Sequence, residues 1–305
     1  MKKRLFLAGF LLPVLCYSQS PDSSVKSIPP ALRLGSVSFS DQAAPISAGG
    51  NTFVMQQPVA DISIPVYKNF SSPHPLIIKT GLRYEGLLLS NEKNIGSNNF
   101  HALTLPLLLS YSITRSFNLS LIGMATVSSD FKRNFDVQDM IYTAGVRIGF
   151  RPNNSLRYGV TLTYISNYSG KFLIPVPDIE WEINKRLSLS AVIPARVSLK
   201  YKLNQTQSFG ITSGYTGGMY LLNDAATKQY LHLQQFSGGL VYDLHLTRRL
   251  KLDLMAGHTF VQRLETFNMD QKVSFDGFGK LGDRVSNVSY QQNSFNFQGG
   301  LSYQF

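Results

Sequence analysis

Cysteine and tryptophan are almost absent from this chain of 305 residues: each occurs once, as Cys16 and Trp181. Charged residues make up only 15% of the sequence, and no long apolar run free of charge follows the N-terminal segment. The missing run excludes a helical membrane bundle, because a spanning helix needs about 20 apolar residues. A single cysteine also excludes a scaffold of intramolecular disulfides.

The first twenty residues, MKKRLFLAGFLLPVLCYSQS, have the layout of a secretory signal peptide. A basic start precedes an apolar run at 5–15, and small or polar residues follow. We predict a signal peptide at residues 1–18 and a flexible periplasmic leader at 19–31. The alternative is a lipoprotein acylated at Cys16, although bulky Leu15 stands where a small residue is expected. Cleavage after Ser18 would leave a mature chain with no thiol for catalysis or zinc binding.

The C-terminal segment alternates strictly between apolar and polar residues. Phe295, Phe297, Leu301, Tyr303 and Phe305 share one face, and polar residues and glycine occupy the other. The same alternation recurs about every twenty residues, as hairpins built from ~10-residue strands require. Residues 32–305 are therefore predicted to be all-β: a transmembrane, antiparallel, up-and-down β-barrel, apolar toward lipid and polar toward the lumen.

Fourteen strands account for the alternating segments. They lie near 32–40, 53–66, 76–90, 100–112, 117–129, 139–151, 156–168, 171–183, 187–193, 196–203, 207–221, 230–246, 250–264 and 290–305. The pair at 187–203 is short for a bilayer crossing, so twelve strands is the alternative. The competing fold is a secreted β-sandwich, since alternation alone does not distinguish lipid from a protein core.

Two internal segments and the C-terminus carry a family resemblance. The stretch IPVPDIEWEINKRLSLSAVIPARVSLKYKLN, the segment FHALTLPLLLSYSI and the aromatic end resemble a family of uncharacterised outer-membrane β-barrel proteins of Bacteroidota. The resemblance implies a barrel in the cell outer membrane and assigns no catalytic or binding residue. Leu301, Tyr303 and Phe305 also resemble the C-terminal signal of such barrels, which implies outer-membrane lipid and the barrel-assembly machinery as partners.

Ionisable residues concentrate on the predicted lumen face, where six of them form an acidic and a basic row on either side of one short strand. These rows are Asp178, Glu180, Glu182 and Arg196, Lys200, Lys202. Two strand spacings are about 10 Å, so Glu180 with Lys200, or Glu182 with Lys202, can pair across the gap. The functional interpretation is a charged lumen constriction that acts on a passing solute. The alternative is a salt-bridged interior that simply fills the lumen.

Inward glycines leave both interpretations open. Gly210, Gly214 and Gly218 fall on the lumen face, where they either leave space or admit long side chains from across the barrel.

Few residues suggest catalysis. Asp243 and His245 lie two apart on the lumen face and form the one acid–base candidate. No motif for a metal or a cofactor is present, and none is predicted. Trp181 lies on the outward face beside a short turn, where an aromatic residue at the membrane interface is expected.

The formal net charge of +11 raises the question of nucleic acid. The basic residues are scattered through lumen positions and turns rather than gathered in one stripe, so no nucleic-acid partner is predicted. The sequence favours a passive pore or uptake route for small hydrophilic solutes. The alternatives are an outer-membrane enzyme acting on lipid, and a closed structural or adhesive barrel that works through its outer loops.

Overall fold

A computed structural model describes residues 35–48, 51–133, 136, 140–223, 228–275 and 284–305; the predicted signal peptide and leader lie outside them. No helix in the described part of the chain has the length and apolar character to cross a membrane. The strands are β1 Ser36–Ala48, β2 Asn51–Asn69, β3 Leu76–Ser90, β4 Asn99–Ser112, β5 Phe117–Ser129, β6 Met140–Phe150, β7 Leu156–Asn167, β8 Gly170–Glu182, β9 Leu187–Val192, β10 Arg196–Lys202, β11 Gln207–Leu222, β12 Gln229–His245, β13 Leu250–Asn268, β14 Val273–Phe275, β15 Val288–Gln291 and β16 Ser294–Gln304.

Fourteen of these strands close into one antiparallel barrel. Each strand from β1 to β12 pairs with the next, β13 also pairs with β16, and β16 pairs with β1. The short strand β15 pairs with β13 beyond β16, and β14 pairs with β8 in parallel. The predicted barrel and its fourteen strands are confirmed. The sandwich is wrong because one sheet closes on itself, and twelve strands is wrong because β9 and β10 both pair on each side.

The two ends of the barrel differ. One end, here called the turn end, carries the connections at 70–75, 113–116, 151–155, 183–186, 203–206 and 246–249 together with the C-terminus. Asparagine sets several of these turns: the Asn184 and Asn204 side-chain oxygens accept backbone N–H groups two and three residues ahead, at 2.8–2.9 Å. The opposite end, the loop end, carries the connection at 91–98, the end of β5 with the start of β6, and the end of β13 with the start of β15.

The outer surface is apolar and bordered by aromatic residues at two levels. Phe150 and Tyr142 stand near opposite ends of β6, as Tyr158 and Tyr164 do on β7, and all four are exposed. Phe209 near the start of β11 and Tyr215 near its middle are also exposed. We call the two levels the turn-side belt and the loop-side belt. An apolar band between two aromatic belts is typical of the outer surface of barrels that span membranes.

The ring of strands narrows at the loop end. The end of β5 extends beyond its ladder with β6 and meets β11, where Ser129 pairs with Leu221 and the Asp130 N–H donates to the Leu221 carbonyl at 3.1 Å. The Asn223 side-chain amide donates to the Ser129 hydroxyl at 2.7 Å. This contact leaves β6–β10 outside a smaller ring of nine strands: β1–β5, β11–β13, and β16 with β15. A ring of that size has an interior that side chains can fill.

Apolar side chains fill this narrower ring, and we call them the apolar plug. The largest, almost without solvent exposure, are Phe53, Phe100, Leu87, Leu231, Leu264 and Tyr290. Phe100 packs against Tyr220 at 5.6 Å and Phe53 against Tyr290 at 5.3 Å between ring centroids. The Tyr290 hydroxyl donates to the buried Glu92 carboxylate at 2.7 Å, which fastens the loop at 91–98 over the plug.

Candidate functional site

A layer of buried amide side chains lies directly below the plug, toward the turn end. The Gln57 amide donates to the Gln235 carbonyl oxygen at 2.9 Å, and the Ser294 hydroxyl donates to Gln262 at 3.1 Å. Among the described residues, Gln235 Nε2 and Asn296 Oδ1 are buried and find no hydrogen-bond partner. This layer separates the apolar plug from the charged part of the interior.

The interior of the turn-end half is polar, and some of its charges face water. Inward-facing Arg83 and Glu85 form a partly exposed ion pair on β3. On the opposite wall Arg157 lies 3.8 Å from Glu180, whose side chain is 66% exposed. We call this half of the interior the polar chamber. Exposed charges at inward positions indicate a water-filled space rather than a packed core.

Asp178 is held by an arginine from two strands away. Arg147 on β6 donates to both oxygens of the Asp178 carboxylate on β8, at 2.9 and 2.6 Å. The two side chains meet over Gly159 on β7, where a Cβ atom would lie 2.8 Å from an Arg147 nitrogen. The absence of a side chain at Gly159 therefore permits a bidentate pair across an intervening strand.

A second glycine permits the same crossing on the other side of the chamber. Lys200 on β10 reaches Asp243 on β12 at 2.5 Å, over β11, where Gly210 stands opposite Lys200. Asp243 is 5% exposed, and the Ser208 hydroxyl donates to it at 3.3 Å. Lys251 lies 4.0 Å from Asp243 and 2.5 Å from Asp253, which extends the cluster to β13.

The acidic and basic rows predicted from the sequence both face the lumen, but no ion pair joins them within the described residues. Backbone register places Glu182 and Lys200 on either side of Ser188, so Glu180 is not level with Lys200. The expected pairing of Glu180 with Lys200 is therefore wrong, and Lys200 binds the buried Asp243 instead. The sequence signal that was missed is the glycine between two opposite charges on alternate strands.

The remaining members of the two rows stay exposed. Glu182, Arg196 and Lys202 are exposed to solvent, and Arg196 begins β10 directly after the short 193–195 connection. These three side chains are available to interact with a solute in the chamber.

The structure does not bring Asp243 and His245 together as an acid–base pair. The Asp243 carboxylate is occupied by Lys200 and Ser208, whereas His245 is exposed at the last position of β12. Adjacent inward positions of one strand are about 7 Å apart, which is too far for a direct hydrogen bond between the side chains unless both lean together. Within the residues described, His, Cys, Asp and Glu side chains form no group of three that could hold a metal ion.

The outward-facing candidates lie near the turn end. Trp181 is exposed on β8 next to the 183–186 turn. Leu301, Tyr303 and Phe305 are exposed on the last strand, and the Phe305 backbone exchanges two hydrogen bonds with Gly35, at 3.1 and 3.2 Å. The Phe305 ring also covers Gly35, where a Cβ atom would lie only 2.5 Å from it.

Comparison with protein families places the chain in a family of unknown function. It belongs to the family described as Domain of unknown function (DUF6268), whose model matches residues 55–304. No curated protein matches the sequence significantly. The taxonomic group implied by the sequence resemblance stays a prediction.

The chain is similar to solved structures of outer-membrane channels at low sequence identity and with TM-scores below 0.5. The COG4313 outer membrane channel from Pseudomonas putida F1 is 10% identical with a TM-score of 0.43, covering 94% of this chain and 100% of its own. A Pseudomonas aeruginosa FadL homologue is 12% identical with a TM-score of 0.41, covering 89% of both chains. The NanC porin is 9% identical with a TM-score of 0.35, covering 89% of this chain and 100% of its own.

Proposed function

We propose that this protein is a channel in the cell outer membrane that provides a passive route for small solutes, with the polar chamber as its periplasmic vestibule. The observation that carries the proposal is a closed fourteen-strand barrel with an apolar exterior and exposed charges inside its turn-end half. Water and small hydrophilic solutes can occupy such a chamber at little cost in desolvation. In this proposal the chamber is open at the turn end, and the apolar plug closes the straight path at the loop end.

The test is permeation through membranes that contain the refolded mature chain. Insertion is checked by the heat-dependent shift of a folded barrel on a gel, and permeation by bilayer conductance and by the swelling of proteoliposomes in small sugars. We expect small steps from the intact protein, because the plug fills the axis, and larger steps when the plug is truncated. An inserted protein that passes neither ions nor solutes in either form would refute the channel.

The plug itself favours a second function, a closed barrel that acts through its outer loops. Loop 91–98 is fastened by Glu92 and places Ile95 in the plug, as a permanently closed barrel would require. Permeation distinguishes the two, since a closed structural or adhesive barrel conducts only after the plug is damaged. An enzyme acting on lipid is not proposed, because Asp243 is engaged by Lys200.

Reversing the charges at Arg196 and Lys202 is expected to shift ion selectivity toward cations. Both side chains are exposed on the lumen face of β10, so Arg196→Glu with Lys202→Glu changes the field inside the chamber without breaking an ion pair. Reversal potentials across a planar bilayer under a salt gradient measure the shift. Lys185→Glu, in the exposed 183–186 turn, is the matched control and should leave selectivity unchanged; an equal shift there would place the constriction elsewhere.

Phe305 is proposed as the residue that the barrel-assembly machinery reads. Its side chain is 51% exposed, so Phe305→Ser should cost little packing and leave refolding in detergent micelles intact. In cells we expect a several-fold lower amount of folded protein in the outer-membrane fraction. Phe295→Ser, exposed on the same strand near the loop end, is the control. Equal loss with both variants would mean that general hydrophobicity, rather than the terminal residue, is recognised.

A further inference from the structure

Among the described residues, no strand continues the barrel wall above the β9–β10 hairpin. The last backbone bonds that tie this hairpin to its neighbours run from the Ile193 N–H to the Pro177 carbonyl at 2.9 Å and from the Tyr215 N–H to the Ala195 carbonyl at 3.1 Å. Beyond these bonds toward the loop end, β8 and β11 continue for seven or more residues without the hairpin between them. The described part of the wall therefore lacks two strands at this height.

The gap closes again nearer the loop end. There β14 pairs with residues 170–172 of β8, and β5 meets β11 at Leu221. Within the described part of the chain, residues 173–176 of β8 and 216–220 of β11 have no strand on the side that faces the gap. At about 3.3 Å per residue and about 4.8 Å per strand spacing, the opening is roughly 13–17 Å high and roughly 14 Å wide between backbones. We call it the side window.

The side window is lined by apolar side chains and by glycine. Ile174 and Val176 face inward from β8, and at the hairpin tip Val192 is 38% and Ile193 49% exposed. The β11 rim presents Gly217 and Gly218, which lie beside the rings of Tyr215 and Tyr220, and the inward-facing, exposed Thr216.

The window lies at the level of the loop-side belt. Tyr215 bonds to the hairpin tip at the lower edge, and Tyr164 pairs with Leu173 on β8 at the upper edge. Tyrosines mark the zone where lipid headgroups meet acyl chains. Unpaired strand edges are tolerated there, because headgroups and water can satisfy the backbone, whereas deeper in the hydrocarbon they are not.

A positive charge stands just inside the lower edge. Arg196 follows the hairpin tip, faces the lumen and is exposed, and no ion pair involves it among the described residues. The apolar rim can take an acyl chain, while the guanidinium can bind an anionic headgroup through two parallel hydrogen bonds. We infer that the side window is a lateral passage by which a single-chain anionic amphiphile moves between the outer leaflet and the polar chamber. This inference rests on the proposed function and names its solute class and route.

Site-directed fluorescence tests whether lipid reaches the window. The mature chain lacks Cys16 once the predicted signal peptide is removed, so bimane can be attached to one introduced cysteine. We expect Thr216→Cys to be quenched both by doxyl lipids and by aqueous iodide. On the same strand, outward Ile211→Cys should respond to doxyl lipid, and inward Thr212→Cys to iodide. Quenching of position 216 by iodide alone would overturn the window.

Binding of dansylundecanoic acid to the protein in lipid nanodiscs tests the solute class. Arg196→Gln should weaken binding about tenfold, as expected for the loss of one charge-assisted contact. Lys185→Gln, in the exposed 183–186 turn, is the control and should bind the probe as the wild type does. A neutral dansyl amide of the same chain length should bind Arg196→Gln and the wild type equally well. In Val176→Trp or Thr216→Trp the larger side chain should fill the side window and weaken binding of the probe. Thr216→Trp replaces Val176→Trp in this test if the latter does not fold.

The outcomes separate this inference from the channel proposal. If sugars and ions permeate but Arg196→Gln and both tryptophan variants bind the probe as the wild type does, the lateral passage is wrong and the channel stands. If no solute permeates through either the intact or the plug-truncated protein, the channel proposal is wrong. If Arg196→Gln then still weakens binding of the probe, the side window is a binding site for the amphiphile but not a transport route.

Discussion

Phe100→Ala is expected to make the barrel both less stable and more conductive. The Phe100 ring has no solvent exposure and packs on Tyr220 in the centre of the apolar plug, so its removal leaves a cavity. Large-to-small substitutions of this kind cost about 3 kcal/mol or more in the free energy of unfolding. The same cavity widens the part of the barrel axis that the apolar plug fills. Adding Tyr220→Ala should enlarge both effects.

Urea unfolding in lipid or detergent and single-channel recording measure these changes. Leu105→Ala is the control: it lies on the same strand but faces outward. It should cost less stability, since lipid can occupy the vacated volume, and should leave conductance unchanged. A Phe100→Ala protein that is destabilised yet conducts as the wild type does would mean that the plug does not close the path.

Lys200→Met is expected to cost about 2 kcal/mol in the free energy of unfolding. It removes the main partner of the buried Asp243 carboxylate, which then depends on Lys251 at 4.0 Å. Breaking a fully buried pair costs about 3–5 kcal/mol, and the partial exposure of Lys200 and the remaining lysine reduce this value. Urea unfolding at neutral pH measures the change.

Lys202→Met is the matched control for this prediction. It lies on the same strand and face, but it is exposed, so its removal should change stability by less than about 0.5 kcal/mol. Equal effects of the two variants would show that total lumen charge, rather than the Lys200–Asp243 contact, stabilises the wall. A Lys200→Met protein as stable as the wild type would contradict the importance of the pair.

The alternation of side chains predicted most of the barrel because it is a local property. Each strand shows on its own which residues face out, and hairpin pairing follows from short turns such as 203–206. The short strands β9 and β10 were counted correctly for the same reason, since their polar and apolar positions alternate like those of longer neighbours. The inward placement of Asp178, Lys200 and Asp243 followed directly.

Partners across the interior could not be predicted in the same way. Arg147 meets Asp178 because Gly159 leaves room between them, and Lys200 crosses β11 at Gly210. Both contacts depend on the relative register of three strands, which alternation within one strand does not determine. A search for opposite charges on alternate strands separated by a glycine would have found them.

The narrowing of the ring at the loop end depends on residues even farther apart in the sequence than those of the interior ion pairs. The contact of Ser129 with Leu221 joins residues more than ninety positions apart and depends on where two strands end. In sequence, Phe53, Leu87, Phe100 and Leu231 look like inward residues that should have been polar. Near the loop end, four strands carry apolar residues on the inward face as well as the outward face. This pattern in the sequence indicates that the interior is packed at that end.

The pairing of the first and last strands has a consequence for how the chain matures. Ser36 lies opposite Gln304, so the barrel closes where β1 pairs with β16. Until β16 is present, β1 and β13 both expose a long unpaired edge, the kind of surface on which strands of other molecules add. An unfinished or truncated copy is therefore aggregation-prone along its whole height. A cellular step that inspects the terminal strand before insertion would thus act as a completeness check, admitting only molecules able to seal themselves.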